Sequence, residues 1–128
     1  MTTAIRKRPK YLDLFKIRLP IPGIVSILHR ISGAALFLFV IPLGLAAVQG
    51  SLASSDGFAA WGRYLSHPIM KFILIGFVWA YLYHFCAGIR YLLLDVHKGI
   101  DLPTARLTSQ IVIGVSLLLT LLVAIKLW

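Results

Sequence analysis

The sequence predicts an all-α integral membrane protein with three transmembrane helices, and two observations lead to this prediction. The chain of 128 residues is 59% hydrophobic and only 13% charged, with a mean hydropathy of +0.90. A soluble domain usually carries about 25% charged residues, so this composition excludes an ordinary water-soluble fold. Three apolar stretches each reach the roughly 20 residues that a helix needs to cross about 30 Å of hydrocarbon.

A basic arm, residues 1–20, precedes the first span. It carries one acidic residue, Asp13, and six basic residues: Arg6, Lys7, Arg8, Lys10, Lys16 and Arg18. The formal net charge of +9 could indicate nucleic-acid binding. However, the basic residues flank apolar spans and form no face interleaved with aromatic residues. We therefore expect the charge to set membrane topology, and we expect no nucleic-acid partner.

The rest of the chain, residues 21–128, is predicted to be a single membrane domain with spans at about 22–49, 67–94 and 106–127. Pro42 lies inside the first span and is expected to bend it, a disturbance that membrane helices tolerate. Residues 50–57 are rich in serine and glycine and are predicted to form the first loop.

The basic residues are distributed unevenly between the two ends of the spans. The arm and the second loop lie at one end, and that loop is flanked by Arg90, Lys98 and Arg106. The other end carries only Arg63, Lys71 and Lys126. The positive-inside rule then predicts a multi-pass protein of the cell inner membrane with a cytoplasmic N-terminus and a periplasmic C-terminus.

The first span contains a cluster of polar residues near its cytoplasmic end. Ser26, His29, Arg30 and Gly33 follow at i, i+3, i+4 and i+7, which is one face of a helix. Because polar groups inside a span are costly, such a face often marks a functional site, here one for an anionic or carbonyl-bearing ligand. The alternative is that Arg30 extends to lipid phosphates, while the polar side chains beside it make hydrogen bonds within their own helix.

The second span places His84 about 9 Å deeper along the helix than Arg90. Small residues recur at every fourth position around it, at Gly76, Ala80 and Gly88. A flat macrocycle could lie in the resulting groove, with the imidazole as axial ligand to its iron. Ordinary packing of small residues around a hydrogen-bonded histidine is the alternative.

A haem with two histidine ligands would need a second imidazole at the depth of His84. His29 lies nearer the cytoplasmic end and beside Arg30, a position better suited to haem propionates. We therefore expect the missing axial ligand to come from another subunit.

Several motifs together resemble a known family. They are Arg8-Pro9, Leu12-Asp13-Leu14, Ile17-Arg18-Leu19-Pro20, the segment 26–33, and His84-Phe85-Cys86-Ala87-Gly88-Ile89-Arg90 closed by Asp95. With the length, the number of spans and the basic arm, they resemble the cytochrome b membrane-anchor subunit of succinate dehydrogenase, over nearly the whole chain.

The resemblance implies a subunit of succinate:quinone oxidoreductase that pairs with a second membrane anchor in a helical bundle and holds a flavoprotein and an iron–sulfur protein at the membrane. His84 would be an axial ligand of haem b, with the other axial histidine on the sister anchor. Ser26 and Arg30 would line the site where ubiquinone is reduced to ubiquinol. His29 with Arg30 would lie near the haem propionates, and no residue of this chain would act on succinate.

One position departs from the family pattern. Many relatives have a histidine after the Gly-Ile-Arg motif, whereas Tyr91 stands here. A propionate or proton-relay role is therefore open at this position, although a tyrosine hydroxyl can still donate a hydrogen bond.

Two functions of other classes remain possible from the residues. The chain could be a purely structural anchor that has lost haem, quinone or both. It could also be a small transporter or assembly factor that uses Arg30 and His84 for substrate or protons.

Overall fold

The computed structural model describes residues 18–128. The predicted basic arm therefore lies outside the described residues, apart from its last three positions. Within the described part, three helical segments are long and apolar enough to cross a membrane: Ile21–Ala53, Pro68–Asp95 and Leu102–Leu127.

The first span is helical throughout but not regular. It consists of α1 (Ile21–Ala35), a π-helical turn (Leu36–Val40) and α2 (Ile41–Ala53). Pro42 has no N–H to donate to the carbonyl four residues earlier, and that carbonyl belongs to the π turn. The disturbance expected at Pro42 thus takes the form of a wider helical turn immediately before it.

The structure replaces the predicted first loop with helix. Between positions 50 and 57 only Ser54 is non-helical, and α3 (Ser55–Ser66) follows at once. Ser54 is extended, and its hydroxyl accepts a hydrogen bond of 3.0 Å from the Gly57 N–H. A serine in this position satisfies one of the free donors at a helix start, and Asp56 in the first turn favours the same end electrostatically.

The glycines of this segment serve the contact between α2 and α3. A Cβ atom added at Gly50 would collide with the indole of Trp61, and one added at Gly57 would collide with the carbonyl of Gly50. The composition that suggested a loop therefore reflects two helices packed closely against each other.

The other two spans are single helices, α4 (Pro68–Asp95) and α5 (Leu102–Leu127). The connection between them contains two residues with positive φ, His97 at 59° and Gly99 at 74°. Asp101 caps α5, accepting hydrogen bonds from the Thr104 N–H at 3.0 Å and the Thr104 hydroxyl at 2.7 Å. The left-handed residues end α4 and the aspartate starts α5.

The core lies where α1, α4 and α5 meet. Its buried apolar members are Val25, Tyr83, Ala87 and Val112. The Tyr83 hydroxyl donates to the Val25 carbonyl at 2.9 Å, so a buried polar group also fixes α1 against α4.

The seam of α5 is built from small hydroxyl residues. The buried Ser109, Ser116 and Thr120 each donate to a carbonyl of their own helix three or four residues earlier. Small side chains with satisfied hydroxyls allow close approach of helices in a membrane, where apolar residues gain little by leaving lipid.

Arg90 joins α4 to α5 at one end of the bundle. It is only 6% exposed, and its Nε–H donates to the Thr108 hydroxyl at 3.0 Å. A terminal guanidinium nitrogen donates to the Ala105 carbonyl at 3.3 Å. These two bonds fix the first turns of α5 against the last turns of α4.

Candidate functional site

His84 stands in the middle of the contact between α1 and α4. The neighbouring residue on α1 is Gly33, where an added Cβ would lie 2.8 Å from His84 Cε1. No real Cβ contact is that short, so only glycine at position 33 leaves room for the imidazole in this position.

The hydrogen bonds of His84 define which ring nitrogen carries the proton. His84 Nδ1 lies 3.0 Å from the carbonyl oxygen of His29 and 3.1 Å from Ser32 Oγ. The Ser32 hydroxyl itself donates to the His29 carbonyl at 2.9 Å. A carbonyl can only accept, so Nδ1 carries the hydrogen and donates it. In the neutral ring, Nε2 then holds a lone pair.

His29 lies face to face with His84. The two ring centroids are 4.1 Å apart and the rings are inclined by only 10°. A Cβ at Gly88 would lie 3.8 Å from His29 Nε2, an ordinary van der Waals contact, so the His29 ring lies against α4 at this glycine. The Tyr91 ring lies 5.0 Å from the His29 ring, and its hydroxyl is buried with no hydrogen-bond partner within residues 18–128.

The predicted polar face of α1 is divided by its neighbours. His29 and Gly33 meet α4 at His84, whereas Arg30 is exposed. Ser26 is partly buried. The structure thus brings His29 to His84 and leaves the Arg30 side chain free to reach a group outside this chain.

The groove predicted along α4 is also divided. His29 covers the Gly88 side, while Gly76 and Ala80 line an apolar cavity of about 370 Å³ between α1 and α4. A Cβ at Gly76 would meet open space. Trp79 lines the same cavity, and its indole N–H is buried without a partner in the described part of the chain.

The sequence analysis missed Ser32, Tyr83 and Arg90 as contributors to this region. Ser32 and Tyr83 bond across to the other helix, at His84 and Val25, so their importance depends on the register between α1 and α4. A polar residue inside an apolar span was the available signal for both. Arg90 entered the sequence analysis through the topology, the depth of His84 and the family motif, but not as a residue that joins α4 to α5.

The side chains around His84 suit a metal that this chain holds through a single histidine. Among residues 18–128 there is no cluster of three or more His, Cys, Asp or Glu residues able to hold a metal ion. The arrangement at His84 instead offers one oriented imidazole nitrogen. A ligating histidine in proteins almost always donates its other ring N–H to a carbonyl, carboxylate or water, as His84 does here.

Comparison with known proteins agrees with a chain that spans the membrane. Residues 4–123 match the family model described as "Succinate dehydrogenase/Fumarate reductase transmembrane subunit". Three similar curated proteins carry the name "Succinate dehydrogenase cytochrome b556 subunit". The one from Coxiella burnetii is 35% identical over 126 residues, covering 95% of this chain and 98% of the relative.

The other two give the same result at similar distance. The protein of Rickettsia felis is 32% identical over 116 residues, covering 91% of this chain and 90% of the relative. That of Paracoccus denitrificans is 33% identical over 119 residues, covering 92% of this chain and 90% of the relative. With a match of this length and relatives of the same size, the chain belongs to the family of succinate dehydrogenase/fumarate reductase transmembrane subunits and is a cytochrome b membrane subunit of succinate dehydrogenase.

Proposed function

We propose that this subunit binds haem b through His84 and contributes to the site where ubiquinone is reduced. The observation that supports the haem ligand most strongly is the pairing of His84 Nδ1 with the His29 carbonyl. It orients the ring and leaves Nε2 as the ligating nitrogen, which is how proteins prepare an imidazole for iron. The bound haem would accept and return single electrons.

The second axial ligand is assigned to a sister anchor subunit. Two histidines that held one haem would need space for it between their rings. His29 and His84 are instead stacked face to face at 4.1 Å, which leaves no space for a macrocycle between them. His29 therefore supports the site in another way, with its carbonyl holding His84 and its ring near the propionates.

Arg30 is assigned to the haem propionates and to the quinone. It is exposed on α1 one residue from His29, so its guanidinium can reach a ligand held between this chain and a partner. Guanidinium groups bind carboxylates through two parallel hydrogen bonds, a geometry suited to propionates.

Ser26 and Arg30 are assigned to the reduction of ubiquinone. The reaction adds two electrons and two protons to the quinone to form ubiquinol, and negative charge develops on a carbonyl oxygen before the protons arrive. The Ser26 hydroxyl would donate a hydrogen bond to that oxygen, and the Arg30 cation would stabilise the charge. The electrons would come from the iron–sulfur subunit, which receives them from the flavoprotein that oxidises succinate.

The distribution of basic residues supports an orientation of the chain in the membrane. The positive-inside pattern favours a cytoplasmic N-terminus in the inner membrane, with the α4–α5 connection on the same side. His29 and Arg30 then lie toward the side on which the iron–sulfur subunit would dock. The C-terminus would face the periplasm.

The proposal is tested by a reduced-minus-oxidised visible spectrum of the purified complex, with flavin as the measure of assembly. We expect a b-type haem band in the wild type and at least a tenfold lower haem-to-flavin ratio in His84→Ala. His67→Ala removes an exposed histidine just before α4, whose side chain makes no hydrogen bond to the helix start, and is the matched control, expected to keep the full band. An unchanged haem band in His84→Ala would rule out His84 as the ligand, and a wild-type complex without haem would favour a purely structural anchor.

A further inference from the structure

The short helix α3 turns one side toward the rest of the bundle. Gly57, Trp61 and Leu65 share this side, since they follow at i, i+4 and i+8. Gly57 and Trp61 lie against Gly50 of α2, and Trp61 and Leu65 line an apolar cavity between α2, α3 and α4. This side of α3 therefore faces the apolar part of the molecule.

The opposite side of α3 is polar. Asp56 and Arg63 lie at i and i+7 on that side, and both are exposed. Two aromatic residues lie between the polar and the apolar side: Phe58 is 70% exposed and Tyr64 is 64% exposed. A helix with one polar side, one apolar side and exposed aromatic residues between them is typical of helices that lie at a membrane surface.

Trp128 and its neighbours mark the bilayer boundary at this end of the bundle. α5 has no charged residue between Arg106 and Lys126, which are 20 residues and therefore about 30 Å apart, the thickness of the hydrocarbon core. The centre of the Trp128 ring lies 5.3 Å from that of Phe72 and 5.3 Å from Lys71 Nζ. Since tryptophan is enriched where hydrocarbon meets the headgroups, this boundary crosses α4 near Lys71.

α3 lies just beyond this boundary. It ends at Ser66, and α4 begins at Pro68, three residues before Lys71 and therefore about 5 Å farther from the hydrocarbon core. The headgroup region adds roughly 5–8 Å to the bilayer on each side of that core. The end of α3 therefore lies at the depth of the headgroups.

The first span and α4 run antiparallel at matching depths. Gly33 lies beside His84. Fourteen residues later in the first span, Ala47 lines the apolar cavity together with Met70, which is fourteen residues earlier than His84 in α4. Positions in the two segments can therefore be compared in depth by counting residues from these pairs.

This comparison shows that α3 is inclined only slightly to the membrane plane. Pro68 lies roughly level with Gln49, so α2 extends past the start of α4 by about four residues, to Ala53, or about 6 Å. α3 joins these two ends, and its 12 residues are about 18 Å long. A helix that descends by only about a third of its length lies closer to the membrane plane than to the membrane normal.

From these depths and faces we propose that α3 binds the bilayer surface as an interfacial helix, at the end of the bundle opposite the start of the first span. Phe58 would insert among the acyl-chain carbons nearest the headgroups, and Arg63 would remain in water beside the lipid phosphates. The lipid surface would thereby hold the corner between α2 and α4 at a fixed depth. This surface is separate from His84 and Arg30, so the inference does not depend on the proposed haem or quinone binding.

Thiol labelling tests which side of α3 is in water. The whole complex carrying Phe58→Cys or Arg63→Cys is placed in nanodiscs of phosphatidylethanolamine and phosphatidylglycerol and treated with a water-soluble maleimide. Label is measured by mass on this subunit, whose one native cysteine, Cys86, gives the background in the wild type. The two variants are matched, since both side chains are exposed on the same helix. We expect Arg63→Cys to react roughly tenfold faster than Phe58→Cys. Equal rates, or a slower rate for Arg63→Cys, would overturn the proposal.

Photo-crosslinking distinguishes lipid from a partner chain as the group that covers Phe58. A benzophenone amino acid replaces Phe58, or Arg63 as the control, in the same nanodiscs, and the mass of the subunit is measured after irradiation. We expect adducts with the mass of one phospholipid at position 58 and fewer of them at position 63. Adducts of position 58 with another polypeptide, no adduct there, or an equal yield of phospholipid adduct at both positions would each contradict the proposal.

Discussion

Gly33 is the single residue on which the position of His84 most depends. An alanine there would place its Cβ 2.8 Å from His84 Cε1, so the imidazole must move away. The hydrogen bond from Nδ1 to the His29 carbonyl would then be lost or lengthened. Groups that orient a metal ligand in this way typically contribute 10–100-fold in metal affinity.

We therefore expect Gly33→Ala to retain haem roughly 10–100-fold less tightly, measured as the haem-to-flavin ratio after dilution of the purified complex. Gly114→Ala adds the same methyl group to a helix where the new Cβ meets open space, and it should behave as the wild type. Full haem retention in Gly33→Ala would show that the ring position seen here is not the one that binds iron.

Arg30 gives a prediction that separates quinone reduction from succinate oxidation. Its exposed guanidinium is proposed to stabilise charge on the quinone, and loss of one such group commonly costs about 10²–10³-fold in rate. Arg30→Ala should lower quinone reductase activity by this order while succinate oxidation with an artificial acceptor stays largely intact. Arg30→Lys keeps the charge and should recover part of the activity. Equal loss of both activities would argue for a role in assembly.

The candidate residues stand out in the sequence, but most of their contacts do not. A histidine deep in a span stands out in an apolar stretch whatever surrounds it, and so does an arginine less than one helical turn from a histidine. The stacking of His29 on His84 and the hydrogen bond from Ser32 depend on how far α1 slides along α4. Gly33 and the hydrogen bond from Tyr83 to the Val25 carbonyl set that register. Both are contacts between two helices, so the sequence of either helix alone does not reveal them.

At the scale of helices, the number of spans and their helical form were predicted correctly, because about 20 apolar residues leave few alternatives in a membrane. The short helix α3 was not predicted. Its polar and glycine content resembles a loop, and its helical form depends on the Ser54 cap and on the contact of Gly50 with Trp61. Local composition alone could not reveal that contact between two helices.

The start of α5 gives a prediction about pH. Hydrogen bonds from the Thr104 hydroxyl and from the Thr104 N–H lower the pKa of Asp101 below its ordinary value. Because the folded pKa is lowered, the ionised cap stabilises the helix start above the ordinary aspartate pKa of about 3.9. This stabilisation is lost as the pH falls through the lowered value.

We expect Asp101→Ala to speed amide hydrogen exchange in the first turn of α5 at pH 6, compared with the wild type at the same pH. The difference should begin to shrink below about pH 4, the ordinary aspartate pKa, and should be lost as the pH falls through the lowered pKa of the folded carboxyl. Asp95→Ala, a change of an exposed aspartate at the end of α4, serves as control and should leave that turn unchanged. A difference that persists undiminished at low pH would show that the charge of Asp101 is not what caps the helix.

At the scale of the whole molecule, the three spans leave most of their large apolar side chains exposed. Phe37, Phe72, Phe85 and Leu92 on the first and second spans are each more than half exposed, and so is Leu118 on the third. A membrane accepts such surfaces, and they also leave ample area for a second helical subunit. The chain alone supplies one oriented imidazole, so the proposed haem site requires that second subunit.

This division of the haem site between two subunits is the central claim, and the axial ligation of ferric haem tests it most directly. Near-infrared magnetic circular dichroism distinguishes bis-histidine ligation from other ligand pairs. It is measured on membranes containing this subunit with its sister anchor, and on membranes containing this subunit alone. We expect a bis-histidine, six-coordinate, low-spin haem in the first case and its loss in the second. A full bis-histidine signal from this subunit alone would contradict the account.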